Sequence, residues 1–183
     1  MKLEESGEFF LQLHQNKQVR EYVDMLQSSE LEDNVFKLIA KLKKLYYNRK
    51  VNPQKKGKLI TRNQMLKKRY IIGLKETLKH LQAEALKLVI IAKNLERVEG
   101  EKGIDELIFE IIQRARDQKI PVIFSMTRYK LGLCSKYHGY AASIVGVLNF
   151  QGANDEYNEL VKEGDKYKRQ FYQTLAKSLN EYQ

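Results

Sequence analysis

Lys75, Glu76 and Lys79 follow Gly73 in the run Ile71-Ile72-Gly73-Leu74-Lys75-Glu76-Thr77-Leu78-Lys79. Together they offer donors, an acceptor and a backbone hinge. An ammonium group donates to phosphate and guanine acceptors, a carboxylate accepts from base amino groups, and a glycine lets another molecule's backbone come close. The apolar Tyr70, Ile71 and Ile72, then Leu74, Leu78 and Leu81 at helical spacing, predict a short strand ending at Gly73 with a helix opening directly on it. The first amides of such a helix lack partners and the positive end of its dipole lies behind them, so its mouth favours anions. An isolated tetrapeptide of this kind is more often an ordinary turn with solvated charges. The charge around it and the order of elements after it argue otherwise.

Other reactive types do not assemble into a catalytic pattern. His14 stands alone, and His80 lies one helical turn from Glu76 and Glu84. His138 follows Cys134 by four residues, with no third group to orient the imidazole. Gly100-Glu-Lys-Gly103 lacks the glycine spacing and the Lys-Ser/Thr pair of a phosphate-binding loop. Glu99 with Glu101, and Asp105 with Glu106, occupy loop or helix-start positions where acids are common for dipole reasons. The expectation is a protein that is not an enzyme, with no catalytic residues, metal or cofactor. A small-molecule enzyme on the same core is the contrasting class, to be recognised by a metal or nucleotide that co-purifies.

The net charge of +10 is unevenly placed. Positions 41 to 80 hold fourteen Lys or Arg and one acid, Glu76, a net of +13, so the remaining residues sum to −3. Such a block marks a contact surface for polyanions. Lys67, Lys68, Arg69, Arg128 and Lys130 are expected to supply attraction to phosphate that is independent of base sequence. No apolar stretch approaches the ~20 residues needed to span a bilayer, and residues 1 to 30 lack the apolar segment of a signal peptide. The single cysteine fits a reducing compartment. These features predict a cytoplasmic, or also nuclear, monomer with no membrane partner.

The elements that must position these residues follow from periodicity. Residues 7 to 49 have apolar positions at three- and four-residue spacing (Val19, Tyr22, Val23, Leu26, then Val35, Leu38, Ile39, Leu42, Leu45), predicting a pair of helices appended to the main domain. Residues 52 to 58 form a breaker-rich basic loop, and a turn of helix is expected near 61 to 66. Apolar runs at 87 to 92, 120 to 124 and 142 to 150 read as buried strands. Residues 104 to 118, a short turn at 128 to 133, and 154 to 182 read as helices. The result is a three-layer α/β/α sandwich with a small four-stranded mixed sheet, preceded by an N-terminal helical extension. The expected domains are 1–58, helical extension and basic loop, and 59–183, the sandwich.

Gly73-Leu74-Lys75-Glu76 followed by Lys79 resembles the Gly-x-Asn-Glu-x-x-Lys motif of the kink-turn-binding ribosomal-protein superfamily. The strand ending at Ala92, Ile120-Pro121-Val122, Leu131-Gly132 and Ser143-Ile144-Val145 continue the likeness. Within that superfamily, Lys68 to Leu81, Ser143 to Val147 and Gln151 to Asp155 are most similar to the RNA-binding domain of the SECIS-binding protein 2 family and its paralogue. Leucine and a cation stand here where most of the superfamily has a small residue and asparagine. The likeness runs from about residue 18 to the C-terminal helix. The selenocysteine-incorporation segment that lies further upstream in that family has at most part of a counterpart here.

The resemblance implies recognition of the SECIS element of selenoprotein messages, with the ribosome and the selenocysteine-specific elongation factor as partners. A structural component of the ribosome or of the box C/D small nucleolar ribonucleoprotein is the alternative within the same superfamily. It further implies that Gly73 and Leu74 line the approach, that Lys75 and Glu76 read bases, and that Lys79 holds a phosphate. Asn94 and Glu96 match positions that contact an extruded nucleotide. Tyr137, His138 and Tyr140 offer rings for stacking on unpaired bases, although tyrosines near a strand start are as often packing residues.

Overall fold

Three apolar runs supply three of the four strands of a sheet. The computed structural model of the chain describes residues 19–51, 68–96, 98, 103–135 and 141–180. Strand β1 (Tyr70–Ile72) leads into helix α2 (Leu74–Gln82), β2 (Leu88–Ile91) into α3 (Ile104–Asp117), β3 (Val122–Phe124) into α4 (Arg128–Ser135), and β4 (Ile144–Val147) into α5 (Asn154–Asn180). Helix α1 (Ser29–Val51) precedes them all. The sheet order is β1-β4-β2-β3, with β4 antiparallel to both β1 and β2, and β2 parallel to β3. This is the α/β/α sandwich with a mixed sheet that the strand and helix periodicities predict.

The two central strands, β2 and β4, are buried at every residue, as expected of strands covered by helices on both faces. Helices α2 and α3 pack on each other, α2 also on β1 and β4, and α3 on β3. Helices α1, α4 and α5 make a second group, α1 packing on both of the others. In α1, Leu31, Val35, Leu38, Ile39 and Leu42 are all fully buried and belong to the same core as the sheet. The helix is therefore an integral part of the core and not a peripheral extension.

The first of the two expected N-terminal helices is not helical over its described part. Residues 19 to 28 are turns, bends and irregular chain. They run beside the edge strand: Gln27 Nε2 donates to Phe124 O at 3.1 Å, the Arg20 amide donates to Lys93 O at 2.9 Å, and the Tyr22 ring lies 5.9 Å from that of Phe124. Val23 and Met25 are buried along this irregular path. The three- and four-residue spacing of Val19, Tyr22, Val23 and Leu26 arises from a chain wrapped along a sheet edge, which buries side chains without helical geometry. The rest of that expected helix, residues 7 to 18, the basic loop at 52 to 58 and the turn at 61 to 66 lie outside the described residues.

Candidate nucleic-acid interface

Strand direction alone brings the predicted site residues to one edge. Because β4 opposes β1 and β2 while β3 runs with β2, the C-terminal ends of β1, β2 and β3 and the N-terminal end of β4 meet along the same side of the sheet. Backbone hydrogen bonds stitch that side together. The Gly73 amide donates to Ile144 O at 3.2 Å, Ala92 to Ser143 O at 3.0 Å, Lys93 to Met126 O at 3.0 Å and Ala142 to Arg128 O at 2.9 Å. Helices α2 and α4 open directly on this edge, so their positive ends address the same space, while the start of α3 is reached from it through Arg20, which donates to Lys93 O, Leu95 O and Asp105.

The mouth of α2 is left open. Gly73 is its N-cap, at φ 112° and ψ 146°, a conformation close to a region that is nearly restricted to glycine. A Cβ built there would meet nothing within 4 Å. The glycine is therefore required by the backbone angles, and the space above it is clear. Thr77, fully buried, ties the junction down by donating its amide at 3.0 Å and its hydroxyl at 2.9 Å to Gly73 O. No side chain caps the helix, which leaves its first amides pointing outward. Lys75, Glu76 and Lys79 are exposed, as is Lys68 just before the strand. Among the described residues, none of these four makes an ion pair or side-chain hydrogen bond. Leu74 is half-buried and packs against the core.

The mouth of α4 is filled from within the protein. Asn94 Oδ1 accepts the Arg128 amide at 2.8 Å, and Thr127 Oγ1 accepts the Lys130 amide at 3.3 Å. Arg128 Nη1 is paired with the exposed Glu96, while Arg128 Nε has no hydrogen-bond partner among the described residues. Lys130 is bound by Glu32 of α1 at 2.6 Å, and Lys93 by the other oxygen of the same carboxylate at 3.1 Å. Burial alone would raise the Glu32 carboxyl, but hydrogen bonds from Lys130 and Lys93 outweigh it and hold it below its ordinary range. Glu32 and Lys93 did not stand out in the sequence, since a bridge across 61 residues leaves no local pattern.

Arg69 departs from its expected place. It is 3% exposed, and its Nη1 donates to Gln151 O at 2.8 Å. Just before β1, Lys68 faces solvent while Arg69 turns inward, where it fastens the β4–α5 connection. Its burial removes it from the exposed cations expected to attract phosphate. Lys67, Tyr137 and Tyr140, with His138, lie outside the described residues. Cys134 is buried, and burial pushes its thiol up to about 11, which disfavours the thiolate at neutral pH. Among the described residues no cluster of His, Cys, Asp or Glu could hold a metal, and no helix is long and apolar enough to cross a membrane.

Residues 55–157 match the model of the Ribosomal protein L7Ae/L30e/S12e/Gadd45 family. The chain belongs to this family. It is 30% identical over 174 residues to selenocysteine insertion sequence-binding protein 2 of Rattus norvegicus, covering 95% of this chain and 19% of that protein. It is 28% identical over 165 residues to selenocysteine insertion sequence-binding protein 2-like of Mus musculus, covering 88% of this chain and 14% of that one. The chain thus spans less than a fifth of the length of these relatives. In fold it is similar to the 15.5kD RNA binding protein of Giardia lamblia, with a TM-score of 0.54 over 78% of this chain and 93% of that one at 14% identity. The resemblance drawn from Gly73 to Lys79 and from the later strands is borne out at the level of the family.

Proposed function

We propose that this chain is a non-enzymatic RNA-binding domain that recognises a SECIS stem through the open mouth of α2. The observation that carries this reading is the set of exposed, unengaged Lys75, Glu76 and Lys79 on an uncapped helix start behind Gly73. An ordinary A-form major groove is too deep and narrow for such side chains. A stem bent by tandem sheared G·A pairs opens that groove, and the clear space above Gly73 lets its backbone approach. Lys75 donates to guanine or phosphate acceptors, Glu76 accepts from base amino groups and Lys79 holds a phosphate. Asn94, Glu96, Arg128 and Lys130 on the same edge address the flanking strand. The names of the two curated relatives favour SECIS RNA over other bent stems. The ribosome and the selenocysteine-specific elongation factor are the further partners in this reading, and the cytoplasm is where they meet it.

Competition at fixed salt between a SECIS stem, a plain kink-turn and an unrelated hairpin tests the proposal. Preference for the SECIS stem supports it. Tighter binding of the plain kink-turn assigns the chain instead to a structural ribonucleoprotein role, and equal binding of all three contradicts sequence-selective recognition.

A further inference from the structure

The segment at residues 20 to 24 and helix α3 enclose a groove of about 710 Å³, within the size range of ligand and peptide sites. It extends from Asp105 in the first turn of α3 to Asp117 at its end. At 1.5 Å per residue that is a length of roughly 20 Å, enough for about six extended residues.

The charge lining the groove is opposite in sign to the protein's own excess. Glu21, Asp24, Asp105 and Asp117 contribute four carboxylates against the two guanidiniums of Arg20 and Arg116, in a chain of net charge +10. Both guanidiniums are already engaged, Arg20 with Asp105 at 2.6 Å and Arg116 with Asp24 at 3.0 Å. Asp24 is only 8% exposed, and one of its oxygens collects Arg116, Lys168 and Tyr172. Its other oxygen, Oδ1, has no hydrogen-bond partner among the described residues. A buried carboxylate oxygen almost always has one, so Asp24, which lines the groove, keeps an acceptor that is buried and unused among the described residues. Beside the acids, Phe109 is 64% exposed next to Ile112. A large exposed ring adjoining a groove is the feature that anchors partners.

We infer that this groove docks a basic peptide segment of a partner protein, one that carries arginine or lysine beside a bulky apolar side chain. The acid excess selects the cation and repels nucleic acid, and Phe109 with Ile112 receives the apolar group. The groove meets the edge on which α2 and α4 open at Arg20, which donates to Lys93 O and Leu95 O, and runs away from it to Asp117, so one chain would hold an RNA and a protein at once.

The test titrates the isotopically labelled 183-residue chain with three synthetic hexapeptides of alternating sequence: arginine with leucine or phenylalanine, glutamate with the same apolar residues, and arginine with serine. The first should shift amide resonances of residues 20 to 24 and 105 to 117 and bind tightest. Phe109→Ala and Asp117→Lys, both at exposed positions, should each weaken it about tenfold while SECIS RNA affinity is unchanged. Equal binding of the glutamate peptide, shifts confined to other residues, or variants that bind the arginine peptide as well as the parent would overturn the inference. So would loss of RNA affinity in these variants, which would make the groove a nucleic-acid surface. The RNA readout is independent of the peptide readout, so failure here is distinguishable from failure of the function proposed above.

Discussion

Two helix mouths open on one sheet edge, and they are finished differently. At α4 the first amides are taken by Asn94 and Thr127, and the cations by Glu96 and Glu32. At α2 no side chain caps the amides, and Lys75, Glu76 and Lys79 stand exposed without internal partners among the described residues. On the proposed function, the contrast separates a reading end from a supporting end. Groups already paired must give up a bond to meet RNA, so their net contribution is small. Unpaired groups on a rigid junction gain the full interaction, provided that the RNA brings matching atoms.

The largest effect should come from the reading end. Glu76→Ala should weaken SECIS RNA about 10- to 100-fold, the value of about 1–3 kcal/mol expected for a good base contact. Because the side chain is exposed, the unfolding midpoint should not move; unchanged affinity in a gel-shift titration would remove Glu76 from the interface. Gly73→Ala should destabilise the fold by about 1–3 kcal/mol through backbone strain alone, since no atom obstructs the added methyl. Denaturant unfolding reads this out, and an unaltered midpoint would show that the junction relaxes freely.

Smaller changes are expected at α4. Lys130→Ala should reduce the slope of log affinity against log salt by slightly under about one unit if it neutralises a phosphate, with little loss of selectivity. Glu32→Gln releases both Lys93 and Lys130 and should tighten RNA binding by about two- to threefold while lowering stability at neutral pH. The pH dependence has a definite sign. Since the Glu32 carboxyl is held down in the folded state, its stabilisation is present above the ordinary carboxylate range and is lost as pH falls through the folded value. Acid unfolding of the Gln variant should therefore lack that part of the parent's decline. If parent and variant fall in parallel, the bridge from α1 to α4 contributes nothing.

Much of this architecture is legible in the chain itself. The runs at 87 to 92, 120 to 124 and 142 to 150 contain the strands because continuous burial on both faces requires continuous apolar residues. The strand-to-helix junction at Gly73 is legible because Ile72 closes one period and Leu74 opens another. What periodicity could not convey was how separate elements meet. Val19, Tyr22, Val23 and Leu26 mimic a helix while wrapping the β3 edge. Helix α1 looks detachable until its stripe is seen between α4 and α5. Arg69 reads as one more cation in a basic run, yet it is buried just before β1 against the β4–α5 connection. Glu32 with Lys93 and Lys130, and Asn94 beneath α4, depend on contacts between distant residues, which single-sequence spacing does not encode.

The most direct test pairs a protein change with an RNA change. SECIS stems with tandem G·A pairs, and with those pairs replaced by Watson–Crick pairs, are titrated against the parent chain and Glu76→Ala at one salt concentration. The account predicts that the parent strongly prefers the G·A stem and that the variant loses most of that preference, binding both stems at the parent's weaker level. A variant that retains the parent's full preference would contradict the claim that the open end of α2 reads the RNA.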